Sequence, residues 1–261
     1  MQNLYIENFS NTEFVYEKDV YSYLEKLKSV LEEYSVAVDS NKKTNKYDPW
    51  GWLQLWQLHM KDLSVELFNS FSAGNFLATA AMTRTLMECY VFVKILKDEQ
   101  SRELICEWWL CNMIHRIMGA EGYCAEQIRD TIKEFCNLNQ MDYDEKWEFY
   151  TEKEKGSDGW LKKLVGKKRI GFRTLCEYIG EDTLYKDYER ACEFVHGQDI
   201  TTKLTPFLLF EAIYDILHLM VTYIFKAIRL FDIDDELDNQ ILELEGELMV
   251  LGEIYLNIDL L

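Results

Sequence analysis

The chain has 261 residues, with 46 acidic against 28 basic side chains and a formal charge of −18. That charge repels nucleic acid and anionic membranes at long range, so a nucleic-acid role needs a local basic patch. Two prolines and twelve glycines in so long a chain argue against a many-stranded β fold and for long helices.

Seven cysteines (Cys89, Cys106, Cys111, Cys124, Cys136, Cys176, Cys192) form no C-x-x-C pair. Most stand at apolar helical positions, as small buried hydrophobes do, and a reducing, cytoplasmic setting without disulfides is expected. Residues 1–20 carry acids and no long apolar run, so no signal peptide is expected. Two apolar stretches, 76–96 and 207–225, carry Arg84 and Glu88, and Glu211, Asp215 and His218 respectively. An ionised residue at mid-span costs roughly 2.5–3.5 kcal/mol on insertion scales. Both stretches are therefore predicted to be core helices rather than membrane spans.

In chain order, Val20, Leu24, Leu27, Val30 and Leu31 recur at helical spacing and predict an amphipathic helix over 14–38. A polar connector leads to Asp48-Pro49, a helix-start pair. The stripe Trp52, Leu55, Trp56, Met60, Leu63, Leu67, Phe71 then predicts a helix to Ser72, closed by Gly74. The helix over 76–97 is apolar nearly all round and is predicted to be buried on most sides. Arg84 and Glu88 stand on it at i, i+4, where buried charges need partners. Ser101 opens a further helix to about Met118, and acidic-faced helices follow over 121–138 and 143–155. Gly156-Ser157-Asp158-Gly159 is a loop. From Trp160 to Arg173 come six basic residues and no acid: Lys162, Lys163, Lys167, Lys168, Arg169 and Arg173. This island either binds phosphates or neutralises acidic neighbours. A short helix over 171–179 ends at Gly180, and Thr183 is predicted to cap the helix Leu184–His196, with Gly197 after it. Pro206 opens a long helix to about Phe231, and a last amphipathic helix covers 237–258.

Two constellations carry chemistry. Arg190 and His196 lie near one helix end, pairing a permanent cation with a titratable imidazole. An Arg holds a phosphate and a His moves a proton, which suits metal-free cleavage of an RNA phosphodiester through its 2′-hydroxyl. Glu193-x-x-His196 and Asp215-x-x-His218 have the i, i+3 spacing of di-iron bundles, with Glu88 and Glu211 as further carboxylates. Against a metal, Glu211 shares a helix with Asp215 and His218. The alternative is a buried hydrogen-bond network. No Gly-rich phosphate loop or nucleophile elbow occurs, and no cofactor is expected.

Arg followed within six residues by His resembles the signature of HEPN-superfamily helical domains, many of them metal-independent ribonucleases of toxin and phage-defence systems. The resemblance implies a site shared by two subunits. Over a longer span, A-A-M-T-R-T-L-M-E-C-Y (80–90), G-F-R-T-L-C-E-Y-I-G (171–180) and Y-E-R-A-C-E-F-V-H-G (188–197) resemble a bacterial family catalogued as domain of unknown function 5677. That likeness covers roughly 50–100 and 160–230. It implies that Arg84, Glu88 and His196 belong together.

The expectation is one all-α domain over 1–261, a helical bundle with a HEPN-like core of four to five helices (about 50–100 and 160–231). A helical arm is inserted over 101–158, with terminal helices over 14–38 and 237–258. Arg190 would bind phosphate, His196 would do acid–base work, and Arg84 and Glu88 would orient it. RNA and a second subunit or partner protein are the expected partners, with no membrane. The alternative is a non-catalytic helical module that binds a protein or ligand, in which the same residues form a structural polar core.

Overall fold

A computed structural model describes residues 13–40, 49–118, 122–153, 159–166, 169–196, 206–231 and 233–256. The described residues are helical throughout, with no strand, as the scarcity of Pro and Gly predicts. The long elements are α1 (Glu13–Ser40), α2 (Pro49–Ser72), α3 (Phe76–Glu99), α4 (Arg102–Met118) and α5 (Tyr123–Leu138). Short α6 (Tyr143–Glu148), α7 (Lys162–Val165) and α8 (Phe172–Tyr178) precede α9 (Asp182–Val195), α10 (Pro206–Arg229) and α11 (Asp235–Leu256).

The punctuation is local chemistry. α2 begins at its proline and ends in Gly74, whose φ of 76° lies in the left-handed region that suits a residue without a Cβ. Ser101 accepts the Leu104 N–H at 3.2 Å, Asp142 that of Glu145 at 2.9 Å and Asp234 that of Leu237 at 2.9 Å, each capping a helix start. Two boundaries differ from expectation. α9 starts at Asp182, so Thr183 lies inside its first turn rather than at its cap. The helix predicted over 143–155 gives way after Glu148 to a π-helical turn, Phe149–Lys153.

The chain divides into two compact units. The first comprises Met1–Lys42, Trp56–Tyr90 and Thr183–Leu261; the second comprises Lys43–Leu55 and Val91–Asp182. The division falls within α2 and within α3. In the first unit α1 packs on α11, and α11 on α10. Leu27, Met60, Leu67, Leu86, Met87, Phe194, Phe225 and Ile241 are buried there. Lys61 on α2 reaches Asp39 on α1 at 3.0 Å. In the second unit α4 packs on α5, and α5 on α6. An aromatic stack fills its centre, with Trp52 5.1 Å from both Trp109 and Phe135 and Trp109 4.1 Å from Phe135, ring centre to ring centre. Large rings filling the gaps between helices are what the aromatic content provides.

α3 alone among the described helices is long and apolar enough, by length and composition, to cross a membrane. Half of its most apolar window is buried inside the protein. The rest is largely half-buried: between 76 and 97 only Leu77, Ala78 and Thr85 are exposed, and Arg84 and Glu88 are each 36% exposed rather than enclosed.

Candidate functional site

α9 carries most of the residues singled out by spacing. Leu184, Ala191 and Phe194 form its buried stripe. Tyr188 and Cys192 flank that stripe on one side and Asp187 and Arg190 on the other, by the helical period of about 100° per residue.

On the first flank, the Tyr188 hydroxyl donates to Glu88 Oε1 at 2.7 Å. Arg84 Nε donates to the same oxygen at 3.3 Å, and the Arg84 guanidinium carbon stands 5.4 Å from the Tyr188 ring centre. Arg84, Glu88 and Tyr188 thus form a closed set that ties α3 to α9. Burial pushes the Tyr188 hydroxyl above its ordinary value; its bond to Glu88 and that carboxylate's charge add to the rise, and Arg84 opposes it. The phenol therefore stays protonated and donating at neutral pH. A hydrogen bond to a carboxylate is worth about 1.5–3 kcal/mol when well shielded, and the half-open setting of Glu88 reduces that to about 1 kcal/mol.

On the second flank, Arg190 Nη2 is ion-paired with Asp215 Oδ2 on α10, the Arg side chain 50% exposed and the Asp 19%. Asp187 accepts from Tyr223, also on α10, at 2.8 Å. These two contacts tie α9 to α10.

His196 follows the last residue of α9, and its N–H still bonds back to the Cys192 carbonyl at 2.9 Å. Its side chain is exposed and has no hydrogen bond or ion pair among the described residues. The grouping of His196 with Arg84 and Glu88 is therefore not what the structure assembles: Glu88 is occupied by Arg84 and Tyr188. Arg190 and His196 lie about 120° apart around the helix axis. The exposed residues Glu189 and Glu193 project between them.

The other predicted residues are dispersed. Asp215 is engaged by Arg190, and His218 packs beside the Tyr214 ring at 6.2 Å. Glu193 is exposed, and the Glu211 side chain lies outside the described residues. Among the described residues no three His, Cys, Asp or Glu side chains converge as metal ligands would. Of the basic island, Lys162 is half-buried on α7, Arg169 is exposed, and Arg173 pairs with Glu177 at 3.1 Å. The side chains of Lys163, Lys167 and Lys168 lie outside the described residues.

Sequence reasoning missed two features. Tyr188 is the true partner of Glu88; its only signal was its place at the head of the 188–197 segment. The second is a part-buried set in the other unit. Glu107 accepts from Tyr150 at 2.5 Å and is ion-paired with Lys146, with Glu107 only 13% and Lys146 16% exposed. A lone carboxylate between Cys106 and Trp108 in an apolar run was the available sign. No family model, curated protein or solved structure matches this chain.

Proposed function

We propose that the chain is a HEPN-like helical protein that cleaves RNA phosphodiester bonds without a metal ion, at the C-terminal end of α9. The observation that carries this reading is the exposed His196 imidazole, unpartnered among the described residues. It follows a helix whose Arg190 guanidinium is held in place by Asp215 yet half open to solvent. Arg offers five N–H donors in a fixed fork. Asp215 occupies Nη2, so other donors remain for a phosphate oxygen. In the reaction, an RNA 2′-oxygen attacks phosphorus as its proton leaves to an imidazole. The phosphorus–5′-oxygen bond breaks and the 5′-oxygen takes up a proton, giving a cyclic phosphate and a 5′-hydroxyl. One imidazole serves one of these two proton transfers at a time, so a site shared by two subunits would supply the second. Arg84, Glu88 and Tyr188 act in this scheme by fixing α9, not by touching His196.

A second reading is a non-catalytic module that binds a protein or ligand. It is favoured by a specific observation: Asp215 compensates Arg190, and Glu189 and Glu193 stand between Arg190 and His196, where they repel a phosphate. An RNA-cleavage assay on the full chain separates the two. Cleavage that survives chelator and is lost in both His196→Ala and Arg190→Ala supports the nuclease. Cleavage that chelator abolishes, or that His196→Ala leaves intact, overturns the scheme. Absence of cleavage in the intact protein leaves the binding module.

A further inference from the structure

The second unit contains a cavity of about 290 Å³ between α4, the π-helical turn and the segment from Gly159 to α7. That volume is at the lower end of small-molecule sites. Its walls combine Phe149, Tyr150, Trp160 and Leu164 with two carboxylates, Glu103 and Glu107, and among the described residues no cationic side chain. None of the α9 residues takes part.

Three features make this more than a gap in packing. First, Glu107 is fixed: Tyr150 and Lys146 hold one oxygen each. A carboxylate oxygen accepts more than one hydrogen bond, so both retain capacity. Second, Glu103 is exposed and adds a carboxylate, while the ion pair of Lys146 is with Glu107. Third, Phe149 and Tyr150 are presented by a π-helical turn, a rare element that recurs at functional sites. Aromatic rings and carboxylates together suit an organic cation: the rings cover an apolar body and the carboxylates accept the N–H bonds of its ammonium.

We propose that this cavity binds a small organic amine, its ammonium between Glu103 and Glu107 and its apolar body against Phe149, Trp160 and Leu164. The test is calorimetric titration of the full chain at neutral pH and low salt with three probes: 2-phenylethylamine, 2-phenylethanol and phenylacetate. The amine should bind saturably with one site, the alcohol about tenfold or more weakly, and the anion not at all. Glu103→Gln should weaken the amine severalfold and leave the alcohol unchanged, a pattern that a change in packing alone does not produce. Leu164→Trp should fill the cavity and remove amine binding while the circular dichroism stays that of the parent. Equal affinity for amine and alcohol, amine binding indifferent to Glu103→Gln or Leu164→Trp, or no saturation to about 5 mM amine would overturn the proposal.

Discussion

Lys146→Met tests whether the Glu107 set holds the second unit together. Removing one partner of a fully buried ion pair costs about 3–5 kcal/mol, because the other charge is left uncompensated, and the part-buried Lys146–Glu107 pair should lose less. Glu107 would keep its bond from Tyr150, worth about 1.5–3 kcal/mol, so a net loss of about 2 kcal/mol is expected. Urea unfolding followed by tryptophan fluorescence reads this loss in the right place. Of the seven tryptophans all but Trp56 belong to the second unit. The midpoint should fall with the slope unchanged, and Lys153→Met should leave it where it was, since the Lys153–Glu148 pair is solvent-exposed. The loss should also depend on pH with a definite sign. Burial is the largest single influence and opposes the Lys146 charge, but its bond to Glu107 and the charges of Glu107, Glu145 and Glu103 together outweigh it and raise its pKa above the ordinary 10.5. A raised folded-state value means the stabilisation is fully present below about pH 10.5 and disappears as pH climbs through the folded value. Parent and Lys146→Met should therefore converge in strongly alkaline buffer. A midpoint shift below about 0.5 kcal/mol at neutral pH would show that Glu107 is solvated, and the reasoning would fail.

Two further outcomes are open to simple assays. A chromogenic disulfide reagent at pH 7.5 should titrate Cys124, which is exposed, and more slowly the half-exposed Cys192; the five buried thiols should appear only in denaturant. Burial pushes Cys89 and Cys176 up to about 12 and Cys106 and Cys136 up to about 11, so these four hold almost no thiolate at that pH. In α11, Gly246→Ala should raise stability by about 0.5–1 kcal/mol, since its new Cβ meets nothing. Gly252→Ala should lose that gain, because its Cβ would collide with the Tyr214 hydroxyl that donates to the Leu248 carbonyl; equal midpoints for the two variants would refute the packing argument.

What the sequence made legible was most of what is written in short range, the start of α9 and the π-helical turn excepted. Pro49, Gly74, Ser101, Gly180 and the apolar stripes marked the helices to within a few residues, because caps and periodicity act over one or two turns. The Arg84–Glu88 pair was legible for the same reason, being an i, i+4 contact on one helix. The other misses are all contacts between distant segments. Glu88 meets Tyr188 across a hundred residues, Arg190 meets Asp215 on another helix, and Glu107 meets Tyr150 in a π-helical turn. Nothing in local spacing distinguishes a Tyr from a His as the partner of a carboxylate; Tyr188 stands on α9 and His196 directly follows it.

Those distant contacts change what α9 means. As a linear motif, Arg190 and His196 are equivalent members of a pair. In the fold they are opposites: Arg190 has an acid of its own, and His196 has no described partner. A cation held by a carboxylate has little net field with which to recruit a polyanion, particularly beside Glu189 and Glu193 on a chain of charge −18. Recruitment must then come from basic residues elsewhere, of which the Lys162–Arg173 stretch is the one dense supply in the sequence. If the proposed nuclease draws its RNA affinity from that stretch, affinity and turnover separate by mutation. Its affinity would fall steeply with salt, and replacing Lys or Arg there would lower the affinity and flatten that salt dependence. Its turnover would fall with His196 at unchanged affinity.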